Sequence, residues 1–313
     1  MKKISIKEIA SPRALRKVVQ ALPKVLLYLV MFGLAYIFLY PFLYMLVTSV
    51  MTNEDLNNSL VQWVPRELHF ENYSLAMFII DYWSNLKNSV FVTVVATLGQ
   101  LISCSMAGYA LARFKFFGSR IAMFLVILAM LVPVQTIIAP QYLLYVNMGW
   151  LNTFNPLIVP AFFGFGLKGA LFIYIFRQFF LGQPRELEEA ARIDGCGFIR
   201  TFTRVVLPVA RSVFIVVLVL ALVWHWSDFF EPSMYLNKSD IQLVSMRLEV
   251  ITNILSQPAA SLEATYGVND NNAINDAVLM AGTFMVVMPI LIVYAFLQKQ
   301  FIQGIERSGL TGE

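Results

Sequence analysis
Six long apolar runs separated by shorter polar segments organise the chain, at about 25–51, 88–112, 121–140, 156–176, 205–227 and 277–298. Each offers roughly the 20 residues that a helix needs to cross a hydrocarbon core. The pattern predicts an all-α membrane protein with six transmembrane helices. Pro41, Pro133, Pro160 and Pro289 fall inside these runs, where neighbouring helices satisfy the carbonyls a proline frees, so they are expected to kink helices without ending them. The first run is uncharged and too long for a signal peptide, and no small-residue cleavage site follows it, so it is expected to remain as a span.

Composition agrees with this pattern: 58% of residues are hydrophobic and 13% charged, with a mean hydropathy of +0.69. The net charge of +4 would fit a nucleic-acid partner, but the charges sit in the short segments between apolar runs, which argues against one. Seven basic residues precede the first run (Lys2, Lys3, Lys7, Arg13, Arg16, Lys17, Lys24) and three separate the second from the third (Arg113, Lys115, Arg120). Six surround the segment 184–208 (Arg177, Arg185, Arg192, Arg200, Arg204, Arg211), and Lys299 and Arg307 follow the last run. These eighteen fall on one side, against four on the other (Arg66, Lys87, Lys238, Arg247), which predicts both termini inside. The expected division is a cytoplasmic basic tail at 1–24, a first helix at 25–51, an outer loop at 52–87, a membrane domain at 88–298 and a cytoplasmic tail at 299–313. An inner loop at 184–208 and an outer loop at 237–276 interrupt the domain.

The inner loop is the most densely charged stretch of the second half, and it must lie in water or against another protein. Pro184 suits a first helical turn, Glu186, Glu188 and Glu189 complement the positive helix start, and Gly195 supplies the stop. With Ala190 and Ala191 side by side, the helix offers a low surface that another backbone can approach closely. On spacing alone, an ordinary amphipathic surface helix reads as well.

Glu189-Ala190-Ala191, three residues, Gly195, nine residues, then Val205-Val206-Leu207-Pro208 resembles the E-A-A…G…I-x-L-P loop of binding-protein-dependent ABC importer permeases, with Val205 in place of the usual Ile. The string from Asn88 to Phe117, the run Phe176-Arg177-Gln178-Phe179-Phe180, and Trp226-Ser227-Asp228-Phe229-Phe230-Glu231-Pro232 resemble the carbohydrate-uptake branch, in particular the maltose-type second permease subunit. Ser227 stands where that branch has Asn. Pro65 to Tyr73, P-R-E-L-H-F-E-N-Y, is similar to its first outer loop, with an interfacial aromatic belt as the plainer reading. Gly309-Leu310-Thr311-Gly312 resembles the start of its C-terminal tail.

The resemblance implies a type I ABC importer permease fold in the cell (plasma or inner) membrane and the import of a sugar or oligosaccharide. It also implies a second homologous permease, two ATPase subunits that bind ATP and Mg, and an extracytoplasmic solute-binding protein docking on the outer loops. Glu189, Ala190, Ala191 and Gly195 become the residues expected to couple to the ATPase. A permease for a non-sugar solute and an ion-gradient-driven secondary transporter are the competing readings. The second calls for intramembrane carboxylates, and Asp and Glu are absent from the span interiors.

Other motifs do not carry chemistry. Gly164 to Gly169 matches G-x-G-x-x-G in letters but follows no strand, so close helix packing through Gly166 and Ala170 is the expected reading. No P-loop sequence is present, so ATP is expected on a partner. His69 and His225, the two histidines, join no nucleophile or metal pattern, and Cys104 and Cys196 form no redox or metal spacing; neither a catalytic nor a metal site is expected. The G-V-N-D-N-N stretch at 267–272 has the wrong carboxylate spacing for calcium. Lys168 is the one charge well inside a span and is expected to line the solute path, to hold two subunits in register or to snorkel outward. Abundant aromatics with no strongly acidic or basic cluster favour uncharged cargo.

Overall fold
The computed structural model describes residues 12–58, 63–256 and 274–307, and among these every regular element is a helix. Helix α1 (Pro12–Thr48) begins well inside the expected basic tail and carries Pro41 without a break. Its apolar stretch Pro23–Thr48 has no buried residue over its most hydropathic window. Only the far end of α1 is held. Met45, Thr48 and Ser49 are buried there, where a helix end leaves carbonyls without intrahelical donors. Asn72 meets that need: its Nδ2 donates to Ser49 O at 3.0 Å and to Met51 O at 2.9 Å. The neighbouring Tyr73 hydroxyl lies 2.7 Å from Ser49 Oγ. Asn72 and Tyr73 of the F-E-N-Y string therefore clamp α1, and the expected outer loop is structured as α2 (Asn53–Leu56) and α3 (Glu71–Ile79).

Helix α4 (Tyr82–Arg113) is central to the packing and contacts several of the later helices. Its glycines make this possible. A Cβ at Gly108 would stand 2.7 Å from Phe176 Cβ and 2.9 Å from Arg177 N, so only a bare backbone fits. A Cβ at Gly99 would meet the Phe162 ring at 2.7 Å.

The third expected span is not one helix. Helix α5 (Ser119–Leu131) and helix α6 (Val134–Asn147) meet at 103°. Pro133 has no N–H for the carbonyl four residues back and drives the preceding residue out of the helical region; Val132 sits at φ −76°, ψ 119°. The fourth expected span is also broken. It becomes α7 (Asn155–Ile158), a 3₁₀ turn (Val159–Phe163), a non-helical stretch, and α8 (Gly169–Leu181). The expectation that Pro133 and Pro160 only kink helices is thus corrected, whereas Pro41 and Pro289 do lie within helices.

After α9 (Glu186–Ile193), the segment α10 (Phe198–Val209) includes a π turn at Phe202–Val206 and meets α11 (Arg211–Ser227) at 80°. A π turn and Pro208 side by side are sufficient cause for that bend. Helix α12 (Phe230–Tyr235), a 3₁₀ turn (Ser239–Ile241) and α13 (Val244–Leu255) occupy the first part of the expected outer loop 237–276 and its approach. The rest of that loop, with its G-V-N-D-N-N stretch, lies outside the described residues, as do the start of the basic tail and the G-L-T-G string. Helix α14 (Asp276–Arg307) closes the chain against α11. Its Pro289 frees the Met285 carbonyl, and the Tyr82 hydroxyl donates to that oxygen at 3.1 Å.

By length and composition, α1, α4 and α14 each suffice to cross a membrane, and the two bent pairs bring the candidate spans to five. Helix α8, at 13 residues, is about 20 Å long, short of a hydrocarbon core of about 30 Å.

Candidate functional site
The charged loop starts as its sequence dictates. Glu186, Glu188 and Glu189 occupy the first turn of α9 and Arg192 the last, each favourably placed in the helix dipole. Gly195 ends the helix at φ +78°, a conformation that glycine adopts without cost. Its N–H donates to Arg192 O at 3.0 Å and the Cys196 N–H to Ala191 O at 2.9 Å, the paired bonds of a Schellman stop.

The two faces of α9 differ. Glu188 and Ala191, one turn apart, are buried, while Glu189, Ala190, Ile193 and Gly195 are exposed. Ile193 is 87% exposed and Ile199 73%. Glu188 is what fixes the inner face. Its Oε2 accepts from the Tyr109 hydroxyl at 2.8 Å, and its Oε1 lies 2.7 Å from Arg113 Nε. That second contact is an ion pair without a hydrogen bond, because the Nε–H points off the line to the carboxylate. Arg113 Nη2 donates to Gln183 O at 2.9 Å and so ties the start of the loop to the same helix end. Around this pair the Tyr109 ring packs on Phe198 (5.7 Å), Phe202 (5.1 Å) and Phe180 (5.3 Å). The loop is therefore fastened to the end of α4, with a partly apolar face left outward.

The second region is built on the broken run. Backbone that leaves helical geometry at membrane depth needs other partners for its carbonyls, and one face of α4 provides them. Gln100 Nε2 donates to Leu167 O at 2.6 Å, Ser103 Oγ to Ala161 O at 2.7 Å, and Cys104 Sγ to Gly169 O at 3.6 Å. Gln100 is fully buried, and its Oε1 lies 3.0 Å from His225 Nε2 on α11. Gly164 and Gly166 turn through φ +69° and +109°. Gly166 is thus in a turn, so the expected helix–helix pair with Ala170 is not formed. The close approach is made by Gly169, where a Cβ would run into Gly164 O.

This turn delivers Lys168, itself at φ +60°, to the start of α8 beside a cavity of about 730 Å³. Trp224, Glu231, Gln135, Gln141 and Tyr145 share its wall. Lys168 Nζ stands 5.8 Å from the centre of the Trp224 ring. Of the W-S-D-F-F-E-P string, Glu231 reaches this wall; Trp226 Nε1 donates to Val286 O at 2.9 Å, and Asp228 Oδ1 accepts from the N–H groups of Phe230 and Glu231 at 3.1 and 3.4 Å.

The structure brings Glu189, Ala190, Ala191 and Gly195 together on one short helix and its stop, with Ala191 facing inward, and sets Lys168 apart at the cavity. Sequence reasoning missed Glu188, Tyr109, Arg113 and Gln100. A carboxylate within an acidic first turn reads as solvated, and only the fold brings Glu188 to residues far back in the chain. A glutamine inside an apolar run, together with Pro160, Gly164 and Gly166, was the available signal for the broken backbone.

Residues 99–307 match the family model described as binding-protein-dependent transport system inner membrane component. The chain is 34% identical over 283 residues to Protein LplC of Bacillus subtilis, covering 90% of this chain and 92% of that one. It is 28% identical over 285 residues to the arabinooligosaccharides transport system permease protein AraQ of Halalkalibacterium halodurans, covering 89% and 93%. Among solved structures, a chain of a bacterial ABC transporter involved in the import of the acidic polysaccharide alginate superposes with a TM-score of 0.76 at 21% identity, over 96% of this chain and all of that one.

Proposed function
Because the chain belongs to the family of binding-protein-dependent transport system inner membrane components, we propose that it is a permease subunit of an ATP-driven importer and that its cargo is a sugar or oligosaccharide. The arabinooligosaccharide relative, similar along nearly its whole length, supports the cargo class. In this reading the chain crosses the membrane six times with both termini inside, the bent pairs α5–α6 and α10–α11 each crossing once and α7–α8 supplying a further crossing. The division at 1–24, 25–51, 52–87, 88–298 and 299–313 follows, with the helical start at Pro12 extending into the tail.

The two-faced α9 carries the proposal: an inner face pinned by a buried ion pair, and an outer face with Glu189, Ala190 and Ile193 exposed. A helix held rigidly to the spans yet open outward passes a push from a docked protein into the membrane instead of absorbing it. Glu189, Ala190 and Gly195 face the ATPase, which binds ATP and Mg, and Ala191 sets the helix against its own chain. A second homologous permease completes the pathway, Lys168 lines it, and a solute-binding protein delivers cargo to 52–87 and 237–276.

Reconstitution in liposomes, adding the partner permease, the ATPase and the binding protein one at a time, tests this. Sugar uptake is expected only with all of them and ATP. Uptake by this chain alone, driven by an ion gradient and indifferent to ATP, would replace the importer with a secondary transporter.

A further inference from the structure
Charge is spread thinly enough along the sequence to favour uncharged cargo, yet the fold brings two charged groups to the cavity of about 730 Å³. Its wall carries one ammonium, Lys168, and one carboxylate, Glu231. Lys168 is exposed, and among the described residues no carboxylate lies within 4.0 Å of its Nζ. The group set against it is the Trp224 ring, 5.8 Å from Nζ, and the left-handed backbone of Lys168 at φ +60° carries a cost. A strained backbone of this kind marks a position that the surroundings over-determine. Those surroundings are the Gln100 bond to Leu167 O and the glycine turn before it.

The remaining wall reinforces the positive charge. Gly169 and Ala170 open α8 onto the cavity, so the positive end of that helix points to the same place as Lys168. Glu231, on α12 beyond the end of α11, does not cancel this. Burial first, and then the nearby Asp228 carboxylate, push its pKa up to about 7, which weakens its negative charge near neutrality. The Trp224 ring provides an apolar face, and Gln135 and Gln141 provide amides.

Resting on the sugar-importer reading, we propose that this cavity takes a sugar bearing a carboxylate, a uronic acid or an oligosaccharide of uronic acids, with Lys168 on the carboxylate and Trp224 against a ring. The single ammonium on the wall suits one carboxylate of the bound sugar.

The test is calorimetric titration of the assembled complex, this chain with its partner permease and ATPases, with trigalacturonate and with its methyl ester, which keeps the rings and removes the charge. The wild-type complex is expected to bind the acid at least tenfold tighter than the ester. Lys168→Met should bind the two alike, and Lys168→Arg should keep the preference, which separates loss of charge from loss of fold. Equal affinities in the wild type, a preference that survives Lys168→Met, or tighter binding of glucose 6-phosphate than of trigalacturonate would each overturn the proposal. A complex that imports arabino-oligosaccharides but binds neither probe would refute the acidic class and leave the sugar reading intact; import of no sugar at all would bring down both.

Discussion

Glu188→Ala strips the carboxylate from between Arg113 and Tyr109, and its cost follows from how deeply the pair is placed. The side chains of Arg113 and Glu188 are 5% and 9% exposed. Removing one partner of such a pair leaves the other charge buried and costs about 3–5 kcal/mol. Arg113 retains its bond to Gln183 O, which favours the lower end, about 3 kcal/mol. The Tyr109 hydroxyl loses its charged acceptor and adds about 1 kcal/mol. Equilibrium unfolding of Glu188→Ala, Arg113→Ala and the double variant in mixed micelles reads this as a cycle. The double variant should lose at least about 2 kcal/mol less than the sum of the singles, since contacting residues couple by about 0.5–3 kcal/mol. Strict additivity would refute the ion pair as the fastening of α9. In the assembled importer, Glu188→Ala should also lower sugar uptake per ATP hydrolysed, because a loosened α9 no longer transmits the push.

The two alanines of the loop should part company on the same modification. Ala190→Trp, on the exposed face, should leave the thermal stability of this chain within about 0.5 kcal/mol of wild type while abolishing co-purification of the ATPase. Ala191→Trp, on the buried face, should destabilise the chain itself, and equal effects at both sites would refute the two-faced reading. Gly108→Val should cost about 1–3 kcal/mol by overpacking α4 against α8, measured by thermal unfolding; a neutral outcome would mean that the two backbones do not approach as closely as described.

How far the fold was legible in the sequence depended on whether an apolar run had a local reason to break. The runs at 25–51, 88–112 and 277–298 appear as single helices, and where Pro289 frees a carbonyl a neighbour replaces the lost hydrogen bond. Pro289 shows the replacement, in the Tyr82 hydroxyl on Met285 O. Pro133 offered the same letter with the opposite outcome, and hydropathy cannot separate the two. The stretch 164–168 was harder still. Its glycines read as a packing motif, and their turn is held by Gln100 and Ser103 from a helix that sequence alone does not bring near. At the charged loop, the helix, its acidic start and its Gly195 stop were legible because all three are local. The burial of Glu188 and Ala191 was not, since it depends on α4.

The clamp at the far end of α1 has a consequence for how the protein is made. No residue in the most hydropathic window of that helix is buried by the rest of the chain, so later helices supply little of the free energy that seats it in the bilayer. It enters as an independent unit, driven by its own side chains. What the later sequence adds is position: Asn72 and Tyr73 close on Ser49 and Met51 only after they have themselves been synthesised. Insertion and docking of α1 are therefore separate events, and a lesion at Asn72 leaves a helix that is still in the membrane but no longer in place.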